Sequence, residues 1–145
     1  MAVFVRPATP DDRLEVRRIL DAAMLEPGDV ETRLDAGDVF VAGDHRGSAS
    51  AESATASGRE RILGTIVLEP LADDDGAHIA AIGVRRSHRG RGFGRALIEH
   101  ALEREGRLTA RFDEGVRPFY ERLGFSIESI DDKRHRGVAV AADHV

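Results

Sequence analysis

Apolar residues along the chain fall into runs of two kinds. Val16, Ile19, Leu20, Ala23 and Met24 recur at helical spacing, as do Leu97, Ile98, Ala101 and Leu102, while Glu99, Glu103 and Arg104 lie off the second stripe. Other runs are short and bounded by turn residues, which predicts strands at 2–6, 39–42, 62–68, 77–84, 108–112, 125–130 and 138–142. Val116, Phe119, Tyr120 and Leu123 form one face of a further short helix, and 30–34 allows a turn or two of another. The order of these elements is that of a mixed α/β sheet with helices on its faces.

The punctuation supports these boundaries. Thr9, Pro10, Asp11 and Asp12 supply a cap, a first-turn proline and two acids at the positive end of the first helix, which Pro27-Gly28 stops near Glu26. Residues 44–60 carry no large apolar side chain and read as a flexible loop between two strands, either disordered or a lid on the substrate side. Asp73-Asp74-Asp75-Gly76 reads as a solvated turn, because the other ligand positions of a calcium loop are missing. No internal repeat divides the chain, so residues 1–145 are expected to form a single domain with that loop as its one long insertion.

Composition narrows the chemistry. At 145 residues and 41% hydrophobic the chain can build one core without staples, and its lack of cysteine removes disulfides, thiolate metal sites and a cysteine nucleophile. No apolar run reaches the roughly 18 residues of a membrane span, and Met-Ala-Val-Phe-Val-Arg-Pro is too short and too early in charge for a signal peptide. The expectation is a cytoplasmic soluble protein with no membrane partner. The formal net charge of -5 argues against a nucleic acid partner. That average conceals a local feature: residues 85–95 hold five arginines and no acid, whereas the remaining chain carries 16 basic against 26 acidic side chains. One compact polyanion suits such a distribution better than a long one.

The basic segment is also rich in glycine. Arg89-Gly90-Arg91-Gly92-Phe93-Gly94-Arg95 stands between a strand and a helix, where unobstructed N–H groups and the helix dipole favour phosphate oxygens. A Walker loop is excluded by the absence of Gly-Lys-Ser/Thr, and a dinucleotide fingerprint by the spacing of the third glycine. A disordered Arg-Gly tract that binds RNA is a weaker reading, since the segment is short, occurs once and is tightly flanked by regular elements.

Arg89-Gly90-Arg91-Gly92-Phe93-Gly94 resembles the Q/R-x-x-G-x-G/A signature of the GNAT superfamily of N-acetyltransferases, placed as expected after a strand ending Ile82-Gly83-Val84. Val5-Arg6-Pro7-Ala8-Thr9-Pro10-Asp11-Asp12 resembles the opening of such proteins, and Pro118-Phe119-Tyr120-Glu121-Arg122-Leu123-Gly124-Phe125 their C-terminal motif. The resemblance implies the GNAT-like acyl-CoA N-acyltransferase fold, with a mixed, mostly antiparallel central sheet. It also implies acetyl-CoA as cosubstrate, no metal, and direct transfer of an acetyl group to a primary amine of a small molecule, peptide or protein.

The same resemblance assigns residues. The pyrophosphate would rest on Arg89, Gly90, Arg91, Gly92, Phe93, Gly94 and Arg95, and the pantetheine arm would pair with Ile82, Gly83 and Val84. The Val84 N–H would face the thioester oxygen, and Tyr120, the only tyrosine, would protonate the departing sulfur. A phenol is protonated at neutral pH and can serve as that acid. His78 and Glu69 are the candidate bases for the amine. Asp113 stands where many relatives carry asparagine, which leaves it outside the site. His45, His100, His135 and His144 show no metal spacing. Acceptor pockets in the family lie in regions that here are 26–38 and 44–60, and Asp29, Glu31, Asp35 and Asp38 carry no legible specificity code beyond an acidic face. A homodimer through the C-terminal strands, and a non-catalytic acyl-CoA-binding or regulatory module on the same fold, both remain open at this stage.

Overall fold

The computed structural model describes residues 3–22, 29–45, 60–72 and 76–141. In chain order the elements are β1 (Val3–Pro7), α1 (Arg13–Ala22), α2 (Val30–Asp35), β2 (Val39–His45), β3 (Glu60–Pro70), β4 (Ala77–Val84), α3 (Phe93–Glu105), β5 (Arg107–Asp113), α4 (Arg117–Arg122), β6 (Ser126–Ser129) and β7 (Arg134–Val140). The described strands form one sheet in the order β1-β2-β3-β4-β5-β7-β6. All neighbours are antiparallel except β4 and β5. The mixed, mostly antiparallel sheet flanked by helices is therefore present.

Four elements differ from the pattern-based reading. β2 runs on through Asp44 and His45, and β3 begins at Glu60, because Asp44 and Arg61 face each other across the two strands in a bidentate ion pair at 2.8 and 2.7 Å. Polar residues thus occupy strand positions that the absence of large apolar side chains had assigned to a loop, and residues 46–59 of that loop lie outside the described residues. β7 starts at Arg134 rather than Val138, its solvent face carrying Arg134 and Arg136 while His135 and Gly137 point inward. The first helix splits into a 3-10 turn, Pro10–Asp12, and α1. Asp12 joins it to the sheet by accepting hydrogen bonds from the Thr9 N–H at 2.8 Å and from Arg6 at 2.8 and 3.2 Å. The predicted residues of this helix beyond Ala22, and the 73–75 turn, lie outside the described residues.

Each sheet face carries its own core. On one face Phe93, Leu97, Ile98 and Ala101 of α3 and Tyr120 of α4 pack on Phe40, Ile66, Leu68, Ile79, Leu108, Ala110 and Phe112. On the other, Val16 and Leu20 of α1 and Val30 and Leu34 of α2 pack on Val39, Val41, Val67 and Ala81. Helical and strand periodicity explain most of this division, but β4 breaks it. Val67 stands opposite Ala81 and Leu68 opposite Ile79, so Ala80 is an extra residue in the ladder. Ala77 and Ile79 face α3, Ala80 and Ala81 both face the α1 side, and Ile82 and Val84 face α3 again. A bulge of this kind bends and twists its strand.

The bend separates β4 from β5. These two parallel strands pair only at Ala77 with Leu108 and His78 with Thr109, and residues 79–84 have no strand on that side. A slit thus opens through the middle of the sheet, closed at the His78–Thr109 pair and open at its Val84 end.

β2 and β3 depend on a close backbone approach at Gly43, where a Cβ would lie 1.7 Å from the Arg61 carbonyl oxygen and 3.1 Å from Phe4 Cζ. Gly43→Ala is expected to force this pairing open and to lower the unfolding free energy by about 3 kcal/mol. The readout is a lower urea midpoint at unchanged slope.

Candidate active site

The slit presents backbone to whatever enters it. The Arg85 N–H donates to Leu63 O at 2.7 Å, toward β3. Strand alternation then turns the N–H and C=O groups of Val84 and Ile82 the other way, into the slit. The Val84 carbonyl accepts from Arg89 Nε at 3.2 Å, leaving the Val84 N–H free on the open edge.

At the open end sits the glycine-rich turn. Gly90 (φ 80°) and Gly92 (φ 91°) adopt left-handed conformations that side chains resist, and no atom lies within 4 Å of where a Cβ would stand on either. Gly92 caps α3. The turn therefore offers uncovered N–H groups at the positive end of a helix of thirteen residues. Of the surrounding arginines, Arg85 is engaged: it pairs with Glu15 of α1 and donates to Ile62 O at 3.2 Å. Arg95 reaches Glu99 at 3.4 Å, whereas the side chains of Arg86 and Arg91 hold no ion pair or hydrogen bond among the described residues. A cavity of about 470 Å³ opens beside the turn, lined by Ile19 and Ala22 of α1 with Val84, Arg85, Arg86, Ser87 and Arg89. That volume lies in the range of small-ligand sites.

Tyr120 sits deep on the α3 side, stacked on Phe112 with ring centroids 4.2 Å apart and edge-on to Phe119 and Phe125. Burial pushes its phenol up to about 12. Its side chain is almost wholly enclosed, yet its hydroxyl meets no hydrogen-bond partner among the described residues, and no fully buried side-chain polar atom there lacks one. The hydroxyl therefore reaches accessible space while the ring is locked. A phenol held in this way stays protonated at neutral pH, the form that is chemically able to donate a proton.

At the closed end His78 meets Thr109 across the last β4–β5 pair, with Nδ1 and Oγ1 2.8 Å apart. Burial lowers the His78 pKa below its ordinary value of 6.5, Glu69 on the facing strand opposes that shift, and Arg111 and Arg136 reinforce it. The imidazole is thus neutral at pH 7 and able to take a proton. Glu69 is exposed and stands directly opposite His78 in the ladder.

A family model described as an acetyltransferase (GNAT) domain matches residues 49–127. The chain belongs to the GNAT acetyltransferase family. No curated protein matches the chain. Among solved structures, Ard1 from Thermoplasma volcanium is 18% identical, with a TM-score of 0.71 over 99% of this chain and 100% of that one. A GNAT acetyltransferase from Bacillus cereus is 15% identical, with a TM-score of 0.70 over 97% of this chain and 98% of that one. N-acetylglutamate synthase from Neisseria gonorrhoeae, solved with coenzyme A and L-arginine, is 17% identical with a TM-score of 0.71, covering 97% of this chain and 33% of that one. At these identities the likeness is one of fold.

Within this GNAT acetyltransferase the structure places the predicted residues as follows. The 89–95 turn lies at the open end of the slit, Ile82, Gly83 and Val84 along its β4 edge, Tyr120 on the α3 side, and His78 with Glu69 at the closed end. Asp113, left outside the site on sequence grounds, is exposed and pairs with Arg134 at 3.8 Å. Sequence reading missed Thr109, which holds His78, and Glu15, which holds Arg85 at the end of β4. The alternation Leu108-x-Ala110-x-Phe112 carried the signal for Thr109, since it puts residues 109 and 111 together on the opposite face. No helix among the described residues is long and apolar enough to cross a membrane, and no group of three or more acidic or histidine side chains there could hold a metal ion.

Gly94 sets the spacing between α3 and α4, because its Cβ position lies 3.2 Å from Cε1 and Cζ of Phe119, next to Tyr120. In Gly94→Ala, about 1 kcal/mol of helix propensity offsets a displacement of a few tenths of an ångström in Phe119, so near-neutral stability is expected. Gly94→Val adds methyls that Phe119 cannot clear and should cost about 1–3 kcal/mol. Thermal unfolding of the two variants side by side checks both.

Proposed function

We propose that this protein transfers an acetyl group directly from acetyl-CoA to an amine. The observation that supports this most is the slit between β4 and β5, whose open strand edge leads from an anion-binding turn to a locked phenol. The residues present fit the cosubstrate: the left-handed Gly90 and Gly92 leave their backbone N–H groups open, and Arg89, Arg91 and Arg95 flank that turn. The free edge at Ile82 and Val84, with Gly83 between them paired to β3, can pair with the amide groups of a pantetheine arm. The coenzyme A bound by the gonococcal enzyme of the same fold supports the same assignment. Bound here, acetyl-CoA supplies an activated thioester; the protein supplies position and protons.

Three groups of the chain act on that ester. The Val84 N–H faces the slit and holds negative charge on the carbonyl oxygen, an effect that in related chemistry amounts to about 3 kcal/mol for one donor. His78, neutral at working pH, is the group that receives the proton the amine loses, with Glu69 as the neighbouring carboxylate; six residues of β4 separate it from Val84, so that proton travels through water in the slit rather than directly. Tyr120 keeps its proton until the sulfur leaves, since its phenol titrates far above neutrality. With no cysteine in the chain, transfer without an enzyme-bound thioester is the consistent route. No step uses a metal.

Release of free CoA thiol on mixing the protein with acetyl-CoA and an amine panel is the direct test. Coenzyme A binding by calorimetry with no thiol released against any amine would instead make this a non-catalytic acyl-CoA module. Tyr120→Phe should lower kcat by roughly a hundredfold, the general-acid contribution, with little change in CoA affinity. Full turnover by that variant removes Tyr120 from the mechanism. For His78 the sign is fixed by its lowered pKa: the base form persists below pH 6.5, so the acidic limb of the kcat profile should lie under that value. That limb should vanish in His78→Gln, and an unchanged limb there would transfer the role to Glu69 or water.

A further inference from the structure

A slit capped on one face by α3 and α4 admits its second substrate from the other face. There α1 and α2 cover β2 to β4, while the β5–β7–β6 part of that face is open: Arg111, Arg134, Arg136, Ser126 and Glu128 are all exposed. On this open face Arg111 and Arg136 stand directly opposite each other across β5 and β7. Cross-strand partners hold their Cβ atoms about 5 Å apart, and like charges so placed destabilise a sheet.

The neighbouring ladder positions show how this chain treats such charges when it neutralises them. Two residues along, Arg134 faces Asp113 and pairs with it at 3.8 Å. The Arg111 and Arg136 side chains hold no ion pair or hydrogen bond among the described residues, even though Glu128 stands opposite Arg136 on the outer strand. Arg111 shares its face of β5 with Thr109, whose Oγ1 meets His78 Nδ1, so the two arginines stand on the sheet face that carries the closed end of the slit. Thr109, the partner of His78, lies two residues before Arg111, about 7 Å along β5.

We propose that Arg111 and Arg136 form the anion subsite of the acceptor pocket, and that the acceptor is an amine carrying a carboxylate a few atoms away. This rests on acetyl transfer at the slit. The planar forks of two arginines match a carboxylate, which converts their mutual repulsion into two attractive contacts. A carboxylate held between the arginines, on the face of β5 that carries Thr109, leaves the amine of the same molecule directed toward the slit. A free amino acid and a peptide with an acidic side chain near its N-terminus share this chemistry. A long polyanion does not suit a chain of net charge -5 with two cations here that pair with no acid among the described residues.

The test uses matched amines that differ in one carboxylate: 4-aminobutyrate against butylamine, and alanyl-glutamyl-amide against alanyl-glutaminyl-amide. Discrimination in the first pair assigns a free amino acid, and in the second a peptide. In the wild type the carboxylate member should have the higher kcat/KM. Arg111→Gln and Arg136→Gln should each reduce that ratio by about tenfold to a hundredfold, the range for losing a hydrogen bond to a charged group. Arg111→Lys should recover only part of it. Both neutralised variants should keep or raise the melting temperature, because a like-charge pair is removed. Equal handling of both members of both pairs by the wild type overturns the proposal, as does a variant that slows both members equally.

Calorimetric binding of the same amines to the protein saturated with CoA, where no transfer occurs, separates this proposal from the activity. Carboxylate preference in binding that Arg136→Gln abolishes, with no thiol released from acetyl-CoA, keeps the subsite and removes acetyl transfer. Thiol release without such preference does the reverse.

Discussion

The backbone of β4 has partners on both sides for only two residues, and the rest of the molecule is arranged around that fact. Polar backbone groups in the interior of a protein are paired almost without exception, so a central strand with an open edge needs a reason. The proximate cause is the extra residue at Ala80, which bends β4 away from β5 and turns Ala80 and Ala81 to the same side. Small side chains make the bend feasible: Ala77, Ala80, Ala81 and Gly83 leave room for two changes of direction within eight residues. α3 then starts at the open end of the slit, and α4 places its aromatic cluster alongside. Arg89, reaching back to the Val84 carbonyl, secures the turn to the strand that feeds it.

Much of this architecture was legible from periodicity, for identifiable physical reasons. α1 and α3 carry apolar stripes that only one face of a helix can hide, and 77–84 matched its strand at both ends. The glycine turn was legible because its composition is improbable for anything except unusual backbone. Other features carried no one-dimensional signal. Along Ala-His-Ile-Ala-Ala-Ile-Gly-Val the small residues alternate so evenly in burial that a reversal of faces at Ala80 leaves no trace in the pattern. Arg134 and Arg136 concealed the start of β7, since a solvent-facing strand position tolerates any charge. Asp44 and Arg61 concealed the ends of β2 and β3 in the same way, each polar residue being satisfied by one seventeen positions away.

Charge shows a similar division between what composition tells and what geometry decides. The run of arginines after Val84 reads as one basic patch, yet its members differ in duty. Arg85 is a structural tie between Glu15 and the end of β4, Arg89 binds the strand backbone, and Arg86 and Arg91 are left to solvent. Across the sheet, where no motif drew notice, Arg111 and Arg136 are directly opposed in the ladder and, unlike Arg85 and Arg95, hold no ion pair among the described residues. An arginine-rich composition supplies many cations; the ladder register determines which of them lack a counterion.

The open edge of β4 also has a thermodynamic reading. A slit that leaves six residues of strand without a neighbouring strand on one side keeps part of the fold's cohesion in reserve, to be completed by a molecule that is not part of the chain. Any ligand that binds only the folded form shifts the folding equilibrium by mass action, about 2.7 kcal/mol at a hundredfold excess over its dissociation constant. For a domain of ordinary stability, 5–15 kcal/mol, that is a substantial fraction of the whole. The two halves of the sheet, β1 to β4 and β5 to β6, are joined through that region by one short parallel ladder and by the helices that bridge it. Filling the slit couples those halves, so the amount of folded protein, and how cooperatively it unfolds, becomes a function of the ligand supply around it.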